Sequence, residues 1–313
     1  MLAQTRVALH PCAMIAKRAC ISAVMGMTVL MAVAARTLHA QAGRSAYAEG
    51  MRFMQTGKFA DAEKRFERAI SLERGVGEYH LQLGRAVGAQ AANASVVRQP
   101  FMARRIKSEF ETAVRLDPSL LDAREGLIQF HLLAPGVMGG DPAEARRQQQ
   151  EIARRNAMRG HMAQAMLTWR NRDTVGTERA LRAAVATAPD SMGPAVALAQ
   201  RQAAWGRTSA AFETLNGYLA RHGESLPARY QFGRLSAMTG EQLPRAEGYL
   251  RALLAEPAWP TSQWLPARAA VHARLGDVLR RQGKKDEARL AYNAALALDR
   301  ELSIAKEGLR ALN

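Results

Sequence analysis

The side chains in this 313-residue chain best suited to acid–base or metal chemistry are five of its seven histidines, His80, His131, His161, His222 and His272. No motif assembles them into a reacting set, since HExxH, GxSxG and CxxC are all absent. Asp122 and Glu125 share a helix face at three-residue spacing, the arrangement of a carboxylate pair but equally of solvated surface acids. The glycines of APGVMGGDPAEA, residues 134–145, invite a phosphate-loop reading. That chemistry needs a preceding strand and a Lys-Ser/Thr pair after the last glycine, and neither is present. The stretch reads better as a helix start, with Asp141 as cap, Pro142 in the first turn and Glu144 completing a capping-box pair. Both cysteines, Cys12 and Cys20, lie near the N-terminus, so the rest of the chain offers no thiolate and no disulfide. These observations predict no catalytic residues, no cofactor and no metal.

The elements that would position any functional group are helices. Aromatic residues make up only 6% of the chain, and alanine and arginine abound, which suits stacked helices better than sheets. Residues 269–302 set the register. With Ala269 as position 1, Leu275 and Gly276 fall at 7 and 8, Gly283 at 15, Ala288 at 20, Tyr292 at 24, Ala295 at 27 and Leu298 at 30. Two antiparallel helices approach closely only where side chains are small, which accounts for Gly276, Ala288 and Ala295. Tyr292 and Leu275 fill the space around them. Gly283 tolerates the positive φ on which a helix can end and turn. This pattern resembles the tetratricopeptide repeat, TPR, with Arg300 standing where that family usually has proline.

The resemblance implies an all-α, right-handed superhelix of helix–turn–helix repeats over residues 43–313. About seven repeats can be counted: 43–76, 77–120 with an insertion, 121–157 irregular, 158–191 degenerate, 192–225, 226–262 and 269–302. The first is regular, with Gly50, Gly57, Ala62, Phe66 and Ala69 at the expected positions. The insertion in the second falls at 90–102, where small and polar residues extend the connection between its helices. A helix over 303–312 is expected to cap the last hydrophobic face. His80, His161 and His272 all fall at position 4 of their repeats, a packing position, and are too far apart to share a metal.

Ahead of the repeats, residues 1–42 read as a cleavable signal peptide, with Met14 as an alternative start. Lys17 and Arg18 form a positive n-region, Ala19 to Ala35 an apolar run of about 17 residues, and Ala40 and Ala42 two cleavage sites. This predicts an exported, periplasmic protein with no membrane span after cleavage. The alternative is an inner-membrane anchor formed by an uncleaved leader. The formal net charge of +16 would fall by four, to +12, on losing Arg6, Lys17, Arg18 and Arg36. A basic balance suits an anionic partner, and arginine-rich helix surfaces produce it too. No basic cluster with interleaved aromatics stands out along the sequence, so no nucleic acid is expected.

In the TPR family, positions 2, 5, 9, 12 and 13 of the first helix line a concave groove that holds partner peptides. Carried over, position 9 reads Met51, Arg85, Gln129, Met166, Gln200, Arg234 and Asp277. Position 5 adds Tyr47, Leu81, Met162 and Tyr230, and positions 12 and 13 add Trp169, Arg170, Arg280 and Arg281. The candidate partner-binding set is Tyr47, Arg85, Gln129, Met166, Arg170, Gln200, Tyr230, Arg234 and Arg281. Arginine holds carboxylates in a bidentate fork, and methionine adapts to varied apolar contacts, so the partner would be a protein or peptide, an acidic one included. The lysine–asparagine clamp of chaperone-binding members is missing, with Tyr47 and Met51 at those positions. The expected function is a non-catalytic scaffold in cell-envelope assembly. Two alternatives are a binder of an anionic envelope polysaccharide and an enzyme with its site in the irregular repeats, 121–170.

Overall fold

The computed structural model describes residues 37, 39–91, 93–259, 262 and 264–312. The leader expected at 1–42 therefore lies outside the described residues apart from 37 and 39–42. Among the described residues there are fifteen α-helices and no strand. Helix α1 covers 39–55. It is followed by α2 (Phe59–Leu72), α3 (Gly77–Ala91), α4 (Gln99–Leu116), α5 (Leu121–Leu133), α6 (Pro142–Arg155), α7 (Ala157–Arg170) and α8 (Thr174–Thr187). The series continues with α9 (Met192–Ala204), α10 (Thr208–Arg221), α11 (Leu226–Thr239), α12 (Leu243–Leu254), α13 (Arg268–Arg281), α14 (Lys285–Leu298) and α15 (Ser303–Arg310). The chain divides into two compact units, Met1–Gln148 and Gln149–Asn313, called units 1 and 2.

The turn within a helix pair is made the same way several times over. Gly57, Gly206 and Gly283 take φ of 70°, 76° and 81°. In each case the next residue's N–H reaches a carbonyl near the helix end, as in Lys58 to Phe53, Arg207 to Gln202 and Lys284 to Leu279. Glycine pays no Cβ penalty in this left-handed conformation. After α7 the same turn is made by Arg172 at φ 59°, with Asp173 N–H reaching Thr168 O. Asp173 then caps α8, accepting from Gly176 N at 2.7 Å.

The core is built from small residues receiving large ones. In unit 1 the Phe66 ring lies where a Cβ on Gly50 would stand, 2.5 Å away. The Phe110 ring is sandwiched between Gly84 and Gly126, each hypothetical Cβ being 2.8 Å from it. In unit 2 Tyr292 fills the same role between Gly276, at 2.6 Å, and Gly308 of α15, at 2.2 Å. Each ring removed from water in this way contributes roughly 1.5–3 kcal/mol. A continuous core runs in unit 2 from Met192 and Val196 of α9 to Ala305 and Leu312, with Phe232, Leu250, Leu253 and Tyr292 among its largest buried side chains.

Where the glycine-rich stretch 134–145 interrupts the pattern, Pro135 leads into a single 3₁₀ turn, Gly136–Met138, and Gly139 takes φ 92°. Asp141 accepts from Ala143 N at 2.8 Å. Those backbone N–H groups, with that of Glu144, hold the Asp141 carboxyl below its usual range. Glu144 does not close a capping box. Its carboxylate accepts from Gln148 and Arg147, which its own helix places one turn on. Of residues 90–102, Gln90 and Ala91 belong to α3 and 99–102 to α4, which runs to 18 residues against 14 for α14.

Candidate partner-binding crevice

Within unit 1, α3 and α5 stand side by side on α4, and between them opens a crevice of about 560 Å³. Its walls are small: Gly84, Gly88 and Ala89 from α3 and Gly126 from α5. Gly84 and Gly126 admit the Phe110 ring between the helices, and beyond it Gly88 leaves space that no neighbouring side chain fills. A Cβ added at Gly88 would meet only the tip of Ile106, 4.0 Å away. The floor is Ala103, Ile106 and Phe110 of α4, and the open end carries Leu133 and Met138. Leu133 is 69% exposed, and Val137 in the adjoining 3₁₀ turn 95%. Polar groups stand at the margin. Arg85 donates to Asp122 at 2.9 Å, joining the two helices, and Gln99 and Gln129 are also at hand.

Of the nine residues singled out by the repeat positions, the structure brings Arg85 and Gln129 to this crevice. Within unit 2 it brings Gln200 and Arg234 together at a far smaller hollow of about 10 Å³, with Met238 beside them. Tyr47 and Tyr230 are placed differently. Tyr47 stacks on Tyr79 with ring centroids 5.2 Å apart and donates to Glu78 at 3.1 Å. Burial first, then the Glu78 charge, pushes its hydroxyl up to about 12. Tyr230 is buried in the unit 2 core. An aromatic ring at position 5 has more apolar surface to gain against the neighbouring helix than in an open groove. Arg281 reaches back from α13 to the Met238 carbonyl of α11 at 3.1 Å, while Met166 is partly exposed and Arg170 fully so.

Reacting geometry is not assembled around the histidines. His131 is buried with a hydrogen bond on neither ring nitrogen, and burial, then nearby Lys107, pushes it towards the neutral form. His80 lies 2.7 Å from Glu109, and His222 3.0 Å from Asp190 on an exposed edge. Among the described residues, no three metal-ligating side chains converge.

Tetratricopeptide repeat models match residues 269–302 and residues 47–103. The chain carries tetratricopeptide repeats at those two places. Its fold is similar to that of yeast Tom70, with a TM-score of 0.54 and 10% identity over 81% of this chain. It spans about half of that chain, 51%. It is also similar to a tetratricopeptide repeat protein from Parabacteroides merdae, at a TM-score of 0.47 and 14% identity, over 87% of this chain and 99% of the other. Among curated proteins, no sequence matches it.

In this TPR protein the repeat positions missed the residues that shape the crevice most. Ile106 and Met138 belong to no groove position and come from outside the first helix of a repeat, while Gly88, at position 12 of the second repeat, was not among the residues singled out. Gly88 carried a faint signal: a second glycine one turn after Gly84 narrows the same helix face twice.

Proposed function

We propose that this TPR protein is an exported, non-catalytic scaffold that holds a protein or peptide partner in the crevice between α3 and α5. TPR repeats make protein-interaction scaffolds, and the crevice supplies an apolar floor with a few polar groups at its edge, the usual composition of a binding pocket. The observation that carries the reading is the open space over Ile106 and Phe110, walled by glycines, next to the exposed Leu133 and Val137. An apolar side chain of a partner would bury itself there while its backbone meets Arg85, Gln99 and Gln129.

Export is supported by the n-region, apolar run and small-residue pair of residues 14–42. No helix among the described residues is long and apolar enough to cross a membrane. N-terminal sequencing of the protein recovered from the periplasm checks this part, with a start at Gln41 or Gly43 expected.

The crevice is tested by filling it. Gly88→Trp puts a ring into open space without displacing backbone, so the fold is expected to survive, as circular dichroism would verify. Crosslinked capture from envelope extract should then lose the partner that the parent chain retains. Retention of the same partner by Gly88→Trp and by Arg85→Glu would overturn the crevice as the binding site.

A further inference from the structure

We propose that Arg201, set over the face of Trp169 with Trp205 next to that ring, is a binding centre for a carboxylate side chain of an acidic peptide segment. The site stands on unit 2 alone and does not rest on the crevice reading. It is assembled by α7 and α9 at the ends where each turns into its following helix. The Arg201 guanidinium carbon lies 3.7 Å from the centroid of the Trp169 ring. Trp205 stands beside it, its ring centroid 6.4 Å from that of Trp169 and tilted by 42°. Arg207 lies over Trp205 at 5.1 Å.

Arg201 differs from its neighbours in what it lacks. Arg182 and Arg207 both pair with Glu178, which also receives Gln202, and Asp173 is occupied in capping α8. Arg201 is partly buried, yet among the described residues its guanidinium has no hydrogen bond and no ion pair. Stacking on an indole uses the face of the group and leaves its N–H edge free, so up to five donors remain in one plane. A cation withdrawn from water without a counter-ion is costly, and it regains that cost when an anion arrives. Burial pushes the Arg201 pKa down, and no acid opposes it. The local excess is positive as well. Arg170 and Arg172, on either side of the turn after Trp169, are exposed and carry no acid partner among the described residues.

The chemistry of the ligand follows from the shape. A planar fork of N–H donors matches a carboxylate, which binds it through two parallel bonds in the guanidinium plane. The two indoles close an apolar angle around that plane, lowering the local dielectric and strengthening the pair. One face of Trp169 is already covered by Arg201, and the two rings are tilted, so they do not offer the flat shelf on which a sugar ring stacks. Trp169 is still 42% exposed, leaving room for an apolar side chain next to the acid. A glutamate or aspartate flanked by an aliphatic residue fits this outline.

Tryptophan emission reads the site directly, since two of the four tryptophans form it. The purified chain would be titrated with an N-acetylated glutamate–leucine decapeptide, its glutamine–leucine counterpart and an oligogalacturonate of matched charge. The expected result is a saturable, salt-sensitive emission change with the glutamate peptide alone, abolished at the source by Trp169→Phe. Arg201→Gln should weaken binding at least tenfold and Arg201→Lys at least fivefold, because an ammonium cannot form the fork. Arg170→Gln, on an exposed position that cannot endanger the fold, should weaken it about twofold. Arg229→Gln, remote from the indoles, should leave it unchanged. No saturable change with the glutamate peptide, unaltered binding by folded Arg201→Gln and Arg201→Lys variants, or tighter binding of the oligogalacturonate would each overturn the proposal.

Discussion

Phe110 in unit 1 and Tyr292 in unit 2 occupy equivalent places, each a ring held between two glycines, yet their surroundings part company. Tyr292 is roofed by Gly308 of the short terminal helix, is fully buried, and donates to Asp277 at 2.8 Å. Phe110 lies under α5, but one of its edges forms the floor of an open crevice. The same local device thus produces a sealed joint in one place and a binding surface in another. What differs is the element laid on top. Helix α15 brings Ile304 and Leu309 down onto the core around Tyr292, whereas α5 meets Phe110 with Gly126 alone and leaves the space beside the ring, next to Gly88, open.

Truncating the two rings should separate them most clearly. Tyr292→Ala is expected to cost about 3–5 kcal/mol, and Phe110→Ala the lower end of that range, because water and flexible side chains can enter from the crevice. Urea unfolding of both variants measures this, and an equal or greater loss at Phe110 would break the comparison. Adding a methyl group probes the same contrast from the other side. Gly308→Ala would place its Cβ 2.2 Å from the Tyr292 ring and should cost about 1–3 kcal/mol. Gly88→Ala, opening onto the crevice, should cost nothing and could add a few tenths by favouring the helix.

Acidification should also distinguish buried groups by their environment. His131 has its folded-state pKa pushed below the usual 6.5, so the unfolded chain binds the proton more readily. Its contribution is intact above pH 6.5 and is lost as pH falls through that value towards the folded-state pKa. His272 behaves in the same sense, through burial and then Arg268. Of the two, His131 is more deeply buried and should dominate. The pH dependence of the unfolding midpoint between 7 and 5 should be blunted more by His131→Phe than by His272→Phe. The smallest effect concerns a turn. Arg172→Gly relieves a left-handed backbone that Gly206 and Gly283 occupy freely, and should stabilise unit 2 by about 0.5–1 kcal/mol. Thermal melting would show whether it does.

Much of the fold was legible in the sequence. Helix formation, the reversal at Gly57, Gly206 and Gly283, and the matching of Gly276 to Tyr292 depend on residues within one repeat of each other, so a single 34-residue register carries them. Arg172 shows the limit of even that local reading, because the turn there is imposed by its flanking helices on a residue that does not prefer it. The candidate site was legible only in part. Arg85 and Gln129 were found because the first-helix face recurs with the repeat, but that same face holds Tyr47 and Tyr230, which the structure turns into packing. A repeat position specifies where a side chain leaves its helix, while its neighbours decide whether it meets solvent or another ring.

By itself, then, the amino-acid order determined a stack of paired helices, the small and large residues that let them approach, and the conformations of most turns. All of these are consequences of short-range periodicity and backbone sterics. Only the tertiary structure decided that glycines from two different repeats would clasp one ring and leave a crevice beside it, and that Arg201 would lie on Trp169 with its donors unspent. Those arrangements depend on how far apart successive pairs settle, a balance of packing over many residues that no local spacing encodes.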